Sequence, residues 1–200
     1  MKKSIVLLSS VLSLSVFCIH ANESSIQHSY VQAEPCSQAD AEAVQHLLQA
    51  IQKRLYLMHD VARYKWNEHL PIEDKEREKI LIDQLAEKAA TYHLEKAWAI
   101  SFLQNQMDAA KLLQEQDMLA WKSLGVDSFK NVLDLKKEIR PKLDQLTTDI
   151  FESLQSLSTR LTDLQVKERI QKQSQEIELS GMFPREIWEK AVFTLISSKE

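Results

Sequence analysis

The chain has 200 residues, of which 44% are hydrophobic and 27% are charged, and its net charge is −4 at pH 7. This length suits one domain with a modest extension, and the apolar fraction is enough for a buried core. Charges of both signs are interspersed and form no basic stripe, so we expect no nucleic-acid partner. Two glycines and four prolines are too few turn formers for a β protein, and the composition therefore predicts an all-α fold.

The first residues have the pattern of a secretory signal peptide. Lysines at positions 2 and 3 precede an apolar run over 5–17, and Ala21 offers a small residue at a cleavage point. The apolar run is too short for a comfortable membrane span. We therefore predict a leader over 1–21, cleavage after Ala21, and a periplasmic or secreted mature chain that is not bound to a membrane. An uncleaved anchor, or a lipid anchor at Cys18, is the alternative.

The polar segment 22–36 contains Pro35 and is predicted to be a flexible lead-in. Cys36 is the one cysteine left once the leader is removed. A single thiol forms neither an internal disulfide nor a zinc site, so no metal is expected here.

From Ser37 onward, apolar residues recur at helical spacing, and proline or glycine marks the breaks. Ser37 and Asp40 have the spacing of a capping box, and the first helix is expected to end near Leu70 because Pro71 follows. We predict a helical bundle of about six helices with very long first and fourth helices. The later helices are expected over 72–92, from a break at 93–95 to about 121, over 132–161 with Pro141 as a kink or a fresh start, over 164–179, and over 184–197.

Arg54 and Lys65 are eleven residues apart, which places them on one face of the first helix, roughly 16 Å apart along its axis. Their long side chains can lean toward each other and leave room for a small dianion. Met58 and Val61 fall between them and would form an apolar floor. A solvated basic stripe is the competing interpretation, because other cations lie nearby.

Asp74, Arg77 and Glu78 are neighbours on one face at the start of the second helix. An acid in this position can hold a guanidinium by a charge-assisted hydrogen bond, although ordinary surface ion pairs have the same spacing.

On the third helix, Gln106, Ala110 and Gln114 follow one stripe at the edge of the apolar face. A glutamine in such a place must find hydrogen-bond partners, either in a network or in a ligand. The histidines have no metal-ligand spacing, and the sequence has neither a glycine-rich phosphate loop nor a Gly-x-Ser-x-Gly elbow.

Taken in order, these residues resemble a known family, the secreted, all-helical (gamma-class) chorismate mutases. The resemblance rests on four ordered blocks: Arg54 with the string VARYKW over 61–66, LPIEDKERE over 70–78, FLQNQMDAAKLLQ over 102–114, and RPKLDQL over 140–146. It implies a chorismate mutase type II-like fold, with catalytic helices over 37–125 and C-terminal helices over 126–200 that complete the bundle.

The resemblance also implies an enzyme of the isomerase class that rearranges chorismate to prephenate. The reaction is a unimolecular Claisen rearrangement that needs no cofactor and no metal. The implied partner is the small-molecule substrate chorismate, and family members are commonly dimers, which implies a homodimer.

By the same resemblance, Arg54 and Arg77 bind substrate carboxylates or orient the ring, and Lys65 binds a carboxylate together with the ether oxygen. Gln114 donates to the ether oxygen from the opposite side.

Asp74 and Glu78 receive the ring hydroxyl or steady the cations. Ala110 replaces a small polar residue often found at its position, so one substrate hydrogen bond is expected to be missing. Alignment of the fourth helix places Asp149 where the family supplies an arginine, and Arg140, more than two turns earlier, is not expected to reach the site.

Two further functions stay open from the sequence. An isochorismate-pyruvate lyase would use the same helical scaffold on a close analogue of chorismate. A secreted helical-bundle binding protein without turnover is the non-enzymatic alternative. Ala110 and Asp149 leave it open, because both depart from the family pattern.

Overall fold

The structure, a computed structural model, describes residues 36–197. The predicted leader over 1–21 and all of the lead-in except Cys36 lie outside the described residues. Six α-helices and no strand occur within this range, which confirms the all-α prediction. The helices are α1 (Gln38–Asn67), α2 (Lys75–Ala90), α3 (Lys96–Ser123), α4 (Arg140–Leu157), α5 (Leu164–Leu179) and α6 (Arg185–Ser197).

Helix α1 begins with the predicted capping box. The Ser37 hydroxyl accepts from the Asp40 N–H at 3.1 Å, and the Asp40 carboxylate accepts from the Ser37 N–H at 2.9 Å. The same carboxylate receives the Arg160 guanidinium at 2.7 Å, which fastens the start of α1 to the turn between α4 and α5. The helical stripe identified in the sequence is buried along α1: Val44, Leu47, Leu48, Ile51, Leu55, Met58 and Ala62.

Helix α1 is the centre of the bundle and packs against α3, α4 and α5. Contacts from Arg54 to the Gln106 carbonyl and from His59 to Asp117 show that α3 runs parallel to α1. Helix α2 returns antiparallel along α3, and α6 covers the other side of α3. Helices α2 and α6 therefore flank α3, and α3 and α4 pack directly against α1.

The segment before α4 departs from a regular helix. A π-helical turn over Leu135–Ile139 leads into α4, and Pro141 lies in the first turn of that helix. Proline is accommodated there because the first N–H groups of a helix have no partner within it. Pro141 thus marks a fresh start rather than a kink, and the fourth helix, with 18 residues, is shorter than expected. Helix α3, with 28 residues, is the second longest after α1, with 30.

No helix between residues 36 and 197 is both long and apolar enough to cross a lipid bilayer.

Candidate active site

A cavity of about 570 Å³ opens between the second half of α1, the start of α2, the middle of α3 and the start of α4. Met58 and Val61 line it, as the spacing along α1 predicted. Every site residue named from the sequence lines the same cavity: Arg54, Lys65, Asp74, Arg77, Glu78, Ala110 and Gln114. The structure therefore brings together side chains from three helices that are up to 60 residues apart in the chain.

Lys65 lies half-buried in the last turn of α1. Its ammonium donates a 2.7 Å hydrogen bond to the backbone carbonyl of Ile72 in the connection to α2. Burial lowers the pKa of Lys65 below its ordinary value, while the charges of Glu78 and Asp74 act in the opposite direction. The group is thus a partly desolvated cation, and partial desolvation strengthens its attraction for an anion.

Arg54 lies deeper in the cavity than Lys65, about three helical turns earlier on α1. Its guanidinium makes a long contact of 3.5 Å to the carbonyl oxygen of Gln106 on α3. Burial lowers the pKa of Arg54 to about 10. Loss of water without a carboxylate partner is costly for a cation. An anion that binds beside Arg54 would offset this desolvation cost.

The first turn of α2 is held by its own acidic residues. One Asp74 carboxylate oxygen accepts from the Arg77 N–H at 3.1 Å and caps the helix. One Glu78 oxygen accepts from the Asp74 N–H at 3.2 Å, and the other receives the Lys111 ammonium at 3.1 Å. These bonds hold the backbone of Arg77 at the cavity rim, while its guanidinium forms no hydrogen bond or ion pair with residues 36–197.

Gln114 is buried on α3, with 4% of its surface exposed. Its side-chain Nε2 donates to the Ala110 carbonyl at 2.9 Å, one turn earlier in the same helix. Its Oε1 is buried and has no hydrogen-bond partner among the described residues. A buried amide with one unpartnered end is rare in a folded protein and is expected where a ligand completes the network.

The structure corrects the expectation for the fourth helix. Arg140, in the first turn of α4, lines the cavity, contrary to that expectation, whereas Asp149 does not. Burial lowers the pKa of Arg140, and the charge of Arg77 lowers it further. Asp149 lies roughly 13 Å further along the helix axis, where its carboxylate accepts from Gln145 at 2.8 Å. Because α4 runs antiparallel to α1, Asp149 faces the first half of α1 and lines a different groove.

Sequence reasoning missed four more polar residues that line the cavity: Glu73, Lys111, Asp144 and Thr147. Thr147 follows Arg140 by seven residues, and this spacing of two helical turns places both on one face of α4. That interval was a usable signal once α4 was known to begin at Arg140. Lys111 follows Ala110 directly and is not part of the stripe of Gln106, Ala110 and Gln114, so helical spacing did not single it out.

Comparison with known proteins finds similarity to one family. Residues 42–115 match the model of the family described as chorismate mutase type II. This part of the chain is therefore similar to the chorismate mutase type II family. Its residues make up most of α1, all of α2 and most of α3, and every site residue named from the sequence lies within it.

Two chorismate mutases are related in sequence. The chain is 36% identical over 108 residues to a monofunctional chorismate mutase of Enterobacter agglomerans, covering 54% of this chain and 59% of that protein. It is 30% identical over 125 residues to a secreted chorismate mutase of Yersinia pestis, covering 62% of this chain and 61% of that protein. The matches thus span about three fifths of the length of each relative.

A solved chorismate mutase has the same fold. The crystal structure of the enzyme from Burkholderia thailandensis superposes with a TM-score of 0.68 and 23% identity, covering 76% of this chain and 98% of that one. The chorismate mutase type II fold predicted from the sequence is therefore confirmed. Arg140 and Thr147 lie on α4, beyond the segment that the family model matches.

Proposed function

We propose that this protein is a chorismate mutase that converts chorismate to prephenate without a cofactor, in the periplasm or outside the cell. One observation carries the proposal: a single cavity collects Arg54, Lys65, Arg77 and Arg140 around an apolar floor, beside the buried amide of Gln114. Most of these residues lie in the segment that matches the model of the chorismate mutase type II family.

The cavity suits a small, ring-containing dianion. Chorismate carries two carboxylates on a compact apolar frame, and the cations on α1, α2 and α4 approach the cavity from three directions. We assign Arg54, Arg77 and Arg140 to the carboxylates, because a guanidinium can hold a carboxylate through two parallel hydrogen bonds. Holding both carboxylates at once folds the enolpyruvyl arm over the ring, which removes conformational freedom before the reaction begins.

The reaction breaks the ether C–O bond while a new C–C bond forms, and no proton is gained or lost. Partial negative charge develops on the ether oxygen as that bond stretches. We assign Lys65 to this oxygen on one side and the Gln114 amide on the other. Donors already in place favour the transition state over the ground state, in which the oxygen carries less charge.

For Gln114 to donate, its amide must turn over, so that Nε2 faces the substrate and Oε1 leaves its present position. The turn breaks the bond from Nε2 to the Ala110 carbonyl. The Ala110 carbonyl keeps the helical N–H of Gln114 as a donor, but the side chain must also move away from it, because two carbonyl oxygens repel each other.

In this proposal, Asp74 and Glu78 hold the cations of the site in position. The contacts that support this role are the Asp74 cap on the Arg77 N–H and the two occupied oxygens of Glu78. Ala110 presents a methyl group, so no substrate hydrogen bond is assigned to it.

The proposed location and assembly rest on the resemblance and on the leader pattern. One relative is described as a secreted chorismate mutase, which supports export of this chain after removal of residues 1–21. We further propose a homodimer with a complete site in each protomer, since the cavity described here is lined by one chain. Sedimentation of the purified mature chain tests the dimer.

The test of the activity is an assay of the purified chain from residue 22 onward with chorismate as the only substrate. Loss of chorismate absorbance with formation of prephenate is expected. Absence of both would overturn the proposal and favour a binding protein without turnover. Release of pyruvate from isochorismate, with no conversion of chorismate, would instead identify a lyase on the same scaffold.

A further inference from the structure

Lys111 lies on α3 at the edge of the cavity, and its ammonium is close to three carboxylates. Its ammonium is 3.1 Å from the Glu78 carboxylate, 3.4 Å from that of Asp108 and 3.8 Å from that of Glu73. The side chains of Lys111 and Glu78 each have 21% of their surface exposed, whereas the other two acids are more open to water. Burial opposes the charge of Lys111, but the hydrogen bond and charge of Glu78 raise its pKa overall.

The charged residues that line the cavity are nearly balanced. Four acids line it, and five cations face them; without Lys111 the two counts would be equal. A cavity without net positive charge is a poor site for a dianion. The acids are Glu73, Asp74, Glu78 and Asp144, and the cations are Arg54, Lys65, Arg77, Lys111 and Arg140.

Glu78 is the acid whose position matters most for Lys65. Of the charges that favour the protonated form of Lys65, that of Glu78 is the strongest. Its two oxygens are held apart from Lys65, one by the Asp74 N–H and one by Lys111. If Lys111 were neutral, the released oxygen would be free to turn toward Lys65, the cation whose charge Glu78 already supports.

We propose that Lys111 is a positioning residue that holds the Glu78 carboxylate against α3 and offsets its charge, so that Lys65 stays available to a dianionic substrate. The inference rests on the proposed function and adds a residue to it. Lys111 acts through Glu78 and is not assigned a contact with the substrate.

The test is a double-mutant cycle of Lys111→Met and Glu78→Gln, with chorismate turnover as the readout. Methionine keeps an unbranched side chain that is only one atom shorter, and it removes the charge. We expect Lys111→Met to raise KM about three- to tenfold, with a smaller change in kcat, because a freed carboxylate competes with the substrate for Lys65. In the Glu78→Gln background the same replacement should leave KM nearly unchanged, since no carboxylate is released.

Two controls separate this role from a general effect of charge or packing. Lys111→Arg keeps the cation and should restore KM. Lys79→Met removes a cation from the exposed face of α2, where Lys79 pairs with Asp83 at 2.7 Å, and should leave KM unchanged. If Lys111→Met unfolds the protein, Lys111→Gln takes its place, with circular dichroism as the check on folding.

An equal rise of KM in both backgrounds, or no rise in either, would overturn the role of Lys111. If the unaltered protein shows no turnover, the proposed function fails, and this result is distinct from failure of the role of Lys111. In that event the dissociation constant of isophthalate, an unreactive ring dicarboxylate, replaces KM in the same cycle. The role of Lys111 then stands if Lys111→Met weakens isophthalate binding only while Glu78 is present, and falls otherwise.

Discussion

The ammonium of Lys65 donates a hydrogen bond to the backbone carbonyl of Ile72, seven residues later, at 2.7 Å. The Leu70 N–H in turn donates to the Lys65 carbonyl at 2.8 Å. Together these bonds tie the end of α1 to the segment that leads into α2. The residue proposed to act at the breaking bond therefore also fastens the rim of the cavity from which Asp74 and Arg77 extend.

Replacement of Lys65 by alanine is expected to lower kcat by about two to three orders of magnitude. One preorganised donor at a developing negative charge is worth about 3–4 kcal/mol. Steady-state kinetics with chorismate measure the loss. Lys53→Ala is the matched control, because Lys53 is an exposed cation on the same helix outside this cavity. Turnover close to that of the unaltered protein in Lys65→Ala would remove Lys65 from the reaction.

The neutral amide of Gln114 predicts activity that does not fall between about pH 5 and 8, because glutamine does not titrate. Gln114→Glu should convert this flat profile into a steep decline as the pH rises. A buried carboxyl donates only while protonated, and burial favours that form toward the acidic end of the range. The measurement is kcat/KM across the range for both proteins. Parallel profiles, with both proteins folded, would exclude position 114 as the donor to the ether oxygen.

Arg140 and Asp149 offer a direct comparison within one helix. Arg140→Ala is expected to raise KM for chorismate by about tenfold or more, since a charge-assisted hydrogen bond to a carboxylate is lost. Asp149→Ala should leave KM unchanged, because this carboxylate bonds to Gln145 and lines another groove. The opposite pattern would restore the alignment that placed Asp149 in the site.

The lowered pKa values of Arg54 and Lys65 predict a loss of activity at alkaline pH. Both groups must be cations to bind the substrate, and burial lowers the pKa of Arg54 to about 10. The value of kcat/KM should therefore fall as the pH approaches 10. Arg54→Lys should move the decline to lower pH by about one unit or more, because a lysine has a lower ordinary pKa than arginine and burial lowers it further.

The sign of the linkage separates this decline from unfolding. Between the lowered pKa of Arg54 and its higher ordinary value, this group holds fewer protons in the folded chain than in the unfolded chain. This group therefore makes the free energy of unfolding rise with pH over that window. An activity loss that tracked a falling melting temperature, rather than preceding it, would contradict the assignment.

Local sequence features determined most of the helix boundaries. Ser37 and Asp40 form the predicted capping box, and Asp74 caps α2 three residues after Pro71. Gly125 follows the end of α3 with a φ of 66°, a conformation that glycine adopts without strain. These features depend on residues within one or two turns of each other, so the sequence contains what is needed to predict them. The same holds for the common face of Arg54 and Lys65, which follows from the helical period alone.

The fourth side of the cavity depended on the tertiary structure. The π-helical turn before Pro141 changes the rotation of α4 about its axis, and only the packing of α4 against α1 decides which of its residues face the cavity. Arg140 enters for this reason and Asp149 does not. The pairing of Lys111 with Glu78 likewise joins residues 33 positions apart through the antiparallel contact of α2 and α3.

The sequence by itself thus determined the helices, their caps and the cluster of Arg54, Lys65, Arg77 and Gln114, because each rests on short-range spacing or on the order of motifs along the chain. The tertiary structure alone decided the number of cations around the cavity, the burial of Gln114 and the burial that lowers the pKa values of Arg54 and Lys65. The physical reason is that desolvation and ion pairing depend on which helices meet, and the residues that meet here lie far apart in the chain.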